Sequence, residues 1–205
     1  MHLEEGMPAD ILEKKIVAFS GSILNFVGPT KNGENGLLEN LQEKFEEKSG
    51  GFSVLIDFNS KRAGEYEKRS LIIEDVLKGL RAGGKENEKE REIIKEFQEE
   101  EGDYSGGGQV NMNLLSNLRK DASGKFAEYI SELTKYNGVN HSVILFFNST
   151  EQMPPELLDW VMENVINSIV SINRVLIVLA GKNSVNAEKY PANRMRTEEI
   201  FLEWL

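Results

Sequence analysis

Ser22–Ile23–Leu24–Asn25–Phe26–Val27–Gly28–Pro29–Thr30–Lys31–Asn32–Gly33–Glu34–Asn35–Gly36–Leu37–Leu38–Glu39–Asn40–Leu41 reads as a short apolar strand, a glycine-bounded loop and then a helix. A phosphate-binding loop has this layout: Gly, four residues, Gly, then Lys and Ser or Thr. Gly28 and Gly33 stand at that spacing. The two following positions depart from it, with Glu34 in the place of the lysine and Asn35 in the place of the hydroxyl. A plain strand-to-helix turn with two glycines fits the same stretch, so both readings stand on these residues alone.

Outward from this loop, the chain alternates strands and helices. Ala9–Phe19 carries a short helical pattern into the first strand, Ile23–Val27. Leu37, Leu41 and Phe45 recur at helical spacing until Ser49–Gly50–Gly51 stops them. Phe52–Phe58 is a near-continuous apolar run, as expected of a strand buried on both faces of a parallel sheet. Ile73, Val76, Leu77 and Leu80 give an amphipathic helix closed by Gly83–Gly84. Lys85–Asp103 is a mixed charge run that reads as a solvated helix rather than a binding tail, and Ser105–Gly108 as a flexible loop.

Phe126, Tyr129, Ile130 and Leu133 mark a further helix. The strand Ser142–Phe147 ends at Asn148–Ser149–Thr150–Glu151, and Pro154–Pro155 opens a helix through Ile169. Arg174–Leu179 forms a strand ending in Ala180–Gly181–Lys182. Such alternation predicts right-handed crossovers and a parallel sheet covered by helices on both faces. Ile200, Phe201, Leu202, Trp204 and Leu205 predict an apolar C-terminal helix within residues 192–205.

A chain of 205 residues reads as one domain over residues 1–205, with its core at residues 22–182. A net charge of −10 argues against a nucleic-acid-coating role, because phosphate contacts need clustered Lys and Arg. With no cysteine and only His2 and His141, thiolate and multi-histidine metal sites are not expected. His141, just before a strand, reads as a solvated or capping side chain. No apolar run matches a membrane span, and Met1–Asp10 is unlike a secretory leader, so a cytoplasmic location is expected.

The order of elements resembles the nucleotide-binding domain of the STAND class of P-loop ATPases, signal-transducing relatives of AAA+ proteins. The resemblance covers Ser22 to Lys182 and rests on Gly28–Asn35, on Leu55–Ile56–Asp57–Phe58, on Val143–Asn148 with Ser149–Thr150–Glu151, on the helix with Trp160, and on Leu176–Lys182. It implies a three-layer α/β P-loop NTPase-like domain with a mainly parallel sheet. It also implies site residues: Gly28, Pro29, Thr30, Lys31, Asn32, Gly33, Glu34 and Asn35 in the loop, and Asn148 where a metal-binding Asp belongs. Glu151 would stand where an acid polarises water, and Lys182 where a residue senses the γ-phosphate.

The departures all weaken one ligand. A carboxylate at Glu34, about 4 Å from a phosphate at an effective dielectric near 20, costs on the order of 4 kcal/mol. That is roughly a thousandfold in affinity. Asn35 lacks the hydroxyl, and Asn148 the charge, that hold Mg²⁺. The expectation is therefore a degenerate regulatory or assembly module with no cofactor and no resident metal, acting on a protein partner or on copies of itself. The alternatives are a divergent ATP and Mg²⁺ binder or weak ATPase using Lys31, Lys182 and Glu151, and a Rossmann-like domain for another small ligand. Asn148 is further expected to donate its amide to the Glu34 carboxylate across the vacant pocket.

Overall fold

The computed structural model describes residues 22–28, 34–59, 69–81, 86–105, 112–185, 189–190 and 197–201. Its strands are β1 (Ser22–Val27), β2 (Phe52–Asp57), β3 (Val143–Asn148), β4 (Val175–Gly181) and β5 (Thr197–Phe201). They form one sheet in the order β2-β3-β4-β1-β5, every neighbouring pair parallel. The strand that carries Asn148 thus lies one strand removed from the strand that feeds the glycine loop, with β4 between them.

Alternation along each strand divides the core in two. On one face Leu24, Phe26, Ile144, Phe146, Leu176 and Val178 pack on α1 (Glu34–Ser49) through Leu38, Leu41 and Phe45. On the other, Ile23, Val54, Ile56, Leu145, Phe147 and Ile177 meet a layer of several helices. These are α2 (Arg69–Gly79), α3 (Glu88–Ser105), α4 (Met112–Leu133) and α5 (Pro155–Trp160). Val161–Ile166 continues α5 as a wide π turn into α6 (Asn167–Ile169). Because β3 and β4 are buried on both faces, every one of their residues is buried. Each large apolar side chain so enclosed contributes about 1.5–3 kcal/mol.

The end of α1 shows how local chemistry sets a boundary. Gly50 adopts a left-handed φ of 58°, and its N–H bonds back to the Glu46 carbonyl at 3.2 Å. Glycine takes that conformation without a Cβ penalty. His141 serves as a capping side chain here, its Nδ1 donating to the Gly50 carbonyl at 3.0 Å.

Two expectations need correcting. Lys85–Asp103 does contain a helix, α3, but it is packed between α2 and α4 rather than solvated. Ile93, Ile94 and Phe97 are buried, and so are Glu90 and Glu100. The C-terminal helix expected within residues 192–205 is replaced, at Thr197–Phe201, by strand β5, paired in parallel with β1 from Ile23↔Thr197 to Val27↔Phe201. The open edge of β1 offers a ladder of backbone hydrogen bonds that a helix could not complete. The helical pattern of Ala9–Phe19 and the loop core Ser105–Gly108 fall largely outside the described residues, as do 192–196 and 202–205. Among the described residues no helix is long and apolar enough to cross a membrane.

Candidate functional site

In a parallel sheet the loops that can bind a ligand gather at the carboxyl ends of the strands. Here those ends are Gly28 after β1, Asp57 on β2, Asn148 on β3 and Gly181 on β4. The Gly28 N–H donates to the Gly181 carbonyl at 3.1 Å, which ties the mouth of the glycine loop to β4. α1 begins at Glu34, so the strand, loop and helix follow one another as a phosphate cradle requires. Pro29, Thr30, Lys31, Asn32 and Gly33 lie outside the described residues. Of Glu34 and Asn35 the helical backbone alone is described.

Asn148 is buried, and its Nδ2 donates to Asp57 Oδ1 at 3.2 Å, its register partner across β2 and β3. Ser149 Oγ donates to the same oxygen at 3.1 Å. Asn59 adds its backbone N–H to Asp57 Oδ1 at 3.2 Å and its side-chain amide to Asp57 Oδ2. Ser149 reaches this position through a left-handed backbone, φ 58° and ψ 41°. For a non-glycine residue that costs about 1–2 kcal/mol, which the bond to Asp57 helps to offset. The Glu34 half of the expected Glu34–Asn148 pair lies outside the described side chains.

Thr150 and Glu151 turn back onto β4. Thr150 Oγ1 donates to the Ala180 carbonyl at 3.2 Å, and Glu151 Oε2 accepts the Lys182 backbone N–H at 3.2 Å. Gly181 makes room for this turn, since a Cβ there would sit 2.5 Å from Thr150 Oγ1 and 2.7 Å from Glu151 Oε2. The Lys182 side chain is exposed. The structure therefore brings Gly28, Asn148, Glu151 and Lys182 to one edge of the sheet.

Sequence reasoning passed over two residues that organise this edge. Asp57 was read as strand, yet it collects the donors of Asn148, Ser149 and Asn59. Asn25, buried in β1, donates from Nδ2 to Ser184 Oγ at 2.9 Å and to the Val185 carbonyl at 3.4 Å. Ser184 in turn donates to Glu199 of β5. Both could have been found by asking which polar residues interrupt apolar strands near their carboxyl ends. Further along, Lys189 Nζ meets Asp159 of α5 at 2.6 Å and the Tyr190 hydroxyl donates to the same carboxylate. Lys189, then Tyr190, hold the Asp159 carboxyl below the usual range, and burial, then Asp159, raises the Tyr190 phenol.

Mg²⁺ needs hard oxygen ligands in a near-octahedral shell, supplied in nucleotide sites by one or two carboxylates and phosphates. Of the residues that would hold it, the described ones supply the Asn148 amide and the Glu151 carboxylate, and residues 29–33 lie outside the described ones. Asp57 is moreover spent on the donors around it. Among the described residues no three His, Asp or Glu side chains converge on a metal position.

No protein-family model matches the sequence, and no curated protein does. Solved structures share the fold. A chain of the Drosophila ORC structure bound to AT-rich DNA and Cdc6 is 8% identical with a TM-score of 0.52, over 95% of this chain and 28% of that one. Cdc6p from Pyrobaculum aerophilum is 12% identical with a TM-score of 0.50, over 93% of this chain and 42% of its own length. The chain thus spans less than half of either. At such identity the likeness is one of fold alone: a three-layer α/β, P-loop-like domain with a parallel sheet.

Proposed function

We propose that this chain is a catalytically degenerate P-loop module that acts through protein–protein contact and neither needs nor hydrolyses nucleotide. The observation that carries this reading is the state of the β3 end. The residue in the metal-binding position, Asn148, is neutral, buried and committed to Asp57 at 3.2 Å, while Glu151 is committed to the Lys182 backbone. The Asn148 Nδ2 and the Glu151 Oε2 are thus engaged within the protein, whereas a working site holds its acids ready for metal and water. Glu34 and Asn35, in place of the lysine and hydroxyl, add their own penalty to the same ligand. The resemblance to the STAND class supports an assembly or signalling role, with a protein partner or further copies of the chain as the object.

The test is thermal unfolding with and without millimolar ATP and Mg²⁺, paired with a phosphate-release assay. The expected result is an unchanged Tm and no release above buffer. A clear rise in Tm would overturn the degenerate reading and favour a divergent nucleotide binder working through Lys31, Lys182 and Glu151.

A further inference from the structure

We infer that the outer edge of β2 is a docking strand for an extended, basic segment of a partner protein. This inference rests on the reading above in one respect, that the chain works by protein contact. Among the described residues β2 ends the sheet, and it pairs with β3 on its inner side. The N–H groups of Phe52 and Phe58 point inward, to the carbonyls of Ser142 at 2.9 Å and Asn148 at 3.1 Å. By the alternation of a strand, the backbones of Ser53 and Leu55 then point outward. Such a row of amide groups recognises another extended backbone, and natural edges left open this way are either blocked or used.

A groove of about 400 Å³ runs along this edge between α1 and α2, floored by Ser53, Val54, Leu55 and Ile56. Ser53 is covered, only 3% exposed, with its hydroxyl donating to Glu46, whereas Leu55 is half-buried. Gln42 Nε2, a primary amide like an incoming backbone group, reaches the outward Ser53 carbonyl at 3.5 Å. That bond is long and readily displaced. Leu55 has no such cover among the described residues.

Charge selects the occupant. Glu46 and Asp75 line the groove with Lys78. Glu39 and Glu43, exposed one helical turn from Gln42 and Glu46, continue the acidic stripe along α1. A second copy would bring these same acids together, and the chain carries a net charge of −10. A strand with Lys or Arg at alternate positions, facing the walls, relieves both.

The experiment uses the full ¹⁵N-labelled chain without nucleotide, titrated with a blocked ten-residue peptide alternating Lys and Val. The same peptide N-methylated at alternate residues and a Glu–Val version are the controls. The expected result is amide shifts and slowed hydrogen exchange at Ser53 and Leu55 with the Lys–Val peptide alone. Glu46→Lys should weaken binding roughly two- to fivefold, the scale of one exposed ion pair, and Gln42→Ala should strengthen it. Unmoved Ser53 and Leu55 resonances at millimolar peptide, or equal binding of the N-methylated peptide, would overturn the proposal. So would a concentration-dependent dimer that protects Leu55, which would give the edge to a second copy. Failure here leaves the nucleotide result untouched, so the two readings fall separately.

Discussion

At the carboxyl edge of the sheet, Asn148 and Ser149 share the Asp57 carboxylate through bonds of 3.2 and 3.1 Å. In the helical layer, Glu90 gathers Arg81 Nε at 2.6 Å, Asn87 Nδ2 at 2.8 Å and the Tyr129 hydroxyl at 2.9 Å. Glu90 is buried and Asp57 half-buried, and the two networks are built differently. The first joins neighbouring strands with neutral donors and leaves no ion pair among its described members. The second joins α3 and α4 to the guanidinium of Arg81, which follows α2, and Asn87 also caps α3 by accepting the Glu90 N–H at 2.9 Å. The short bond to Glu90 holds the Arg81 proton above its ordinary range, and burial, then Glu90, raises the Tyr129 phenol. A charged network made of tight bonds anchors the helices. The other joins two strand ends around the Asp57 carboxylate through neutral donors.

The largest expected effect follows from removing the hub of the charged network. Glu90→Ala leaves Tyr129 without its acceptor and Arg81 with the more exposed Glu86 alone, and should cost about 3 kcal/mol in urea denaturation. A loss below 1 kcal/mol would erase the contrast between the regions. Next, Asn148→Asp places a second carboxylate against Asp57. The pair would hold a proton above the ordinary carboxyl range, so the penalty is full at neutral pH, about 2 kcal/mol, and shrinks as pH falls toward 4. Denaturation at pH 7 and pH 5 reads this directly, and a pH-independent penalty would show that the two carboxyls do not meet.

The smallest effect is Tyr129→Phe, which removes one donor to Glu90 for about 1 kcal/mol. It also sharpens the alkaline behaviour. Because the Tyr129 pKa is raised on folding, its contribution is intact below the ordinary phenol value near 10 and is lost as pH rises beyond it. Stability measured from pH 8 to pH 11 should therefore fall less in the variant than in the parent. Equal slopes would mean that Tyr129 is not the group responsible.

The sheet was legible because β2, β3 and β4 are apolar on both sides, and a helix of ordinary amphipathicity cannot present that pattern. β5 was not, because Thr197–Glu198–Glu199–Ile200–Phe201 sits at an edge where one neighbour suffices and charge is tolerated. α3 was visible as a helix through Ile93, Ile94 and Phe97. Its burial was hidden because Glu90 finds Arg81 after α2 and Tyr129 on α4, and separation in sequence conceals such partners. At the candidate site, Gly28, Asn148, Glu151 and Lys182 were readable from strand ends. Asp57 and Asn25 were hidden by the apolar runs that contain them.

The position of β1 has a consequence for how the molecule is made. On a ribosome this strand emerges before β2, β3 and β4, yet its neighbours in the finished sheet are β4 and β5, joined through Ser22↔Leu176 and Ile23↔Thr197. β2, β3 and β4 can assemble while β1 still waits, so the glycine loop is set in place among the last features to form. Closing so long a loop is a modest cost in free energy but a slow step in time. A nascent chain stopped before Val175 would expose an apolar strand with neither neighbour available, a natural client for chaperones.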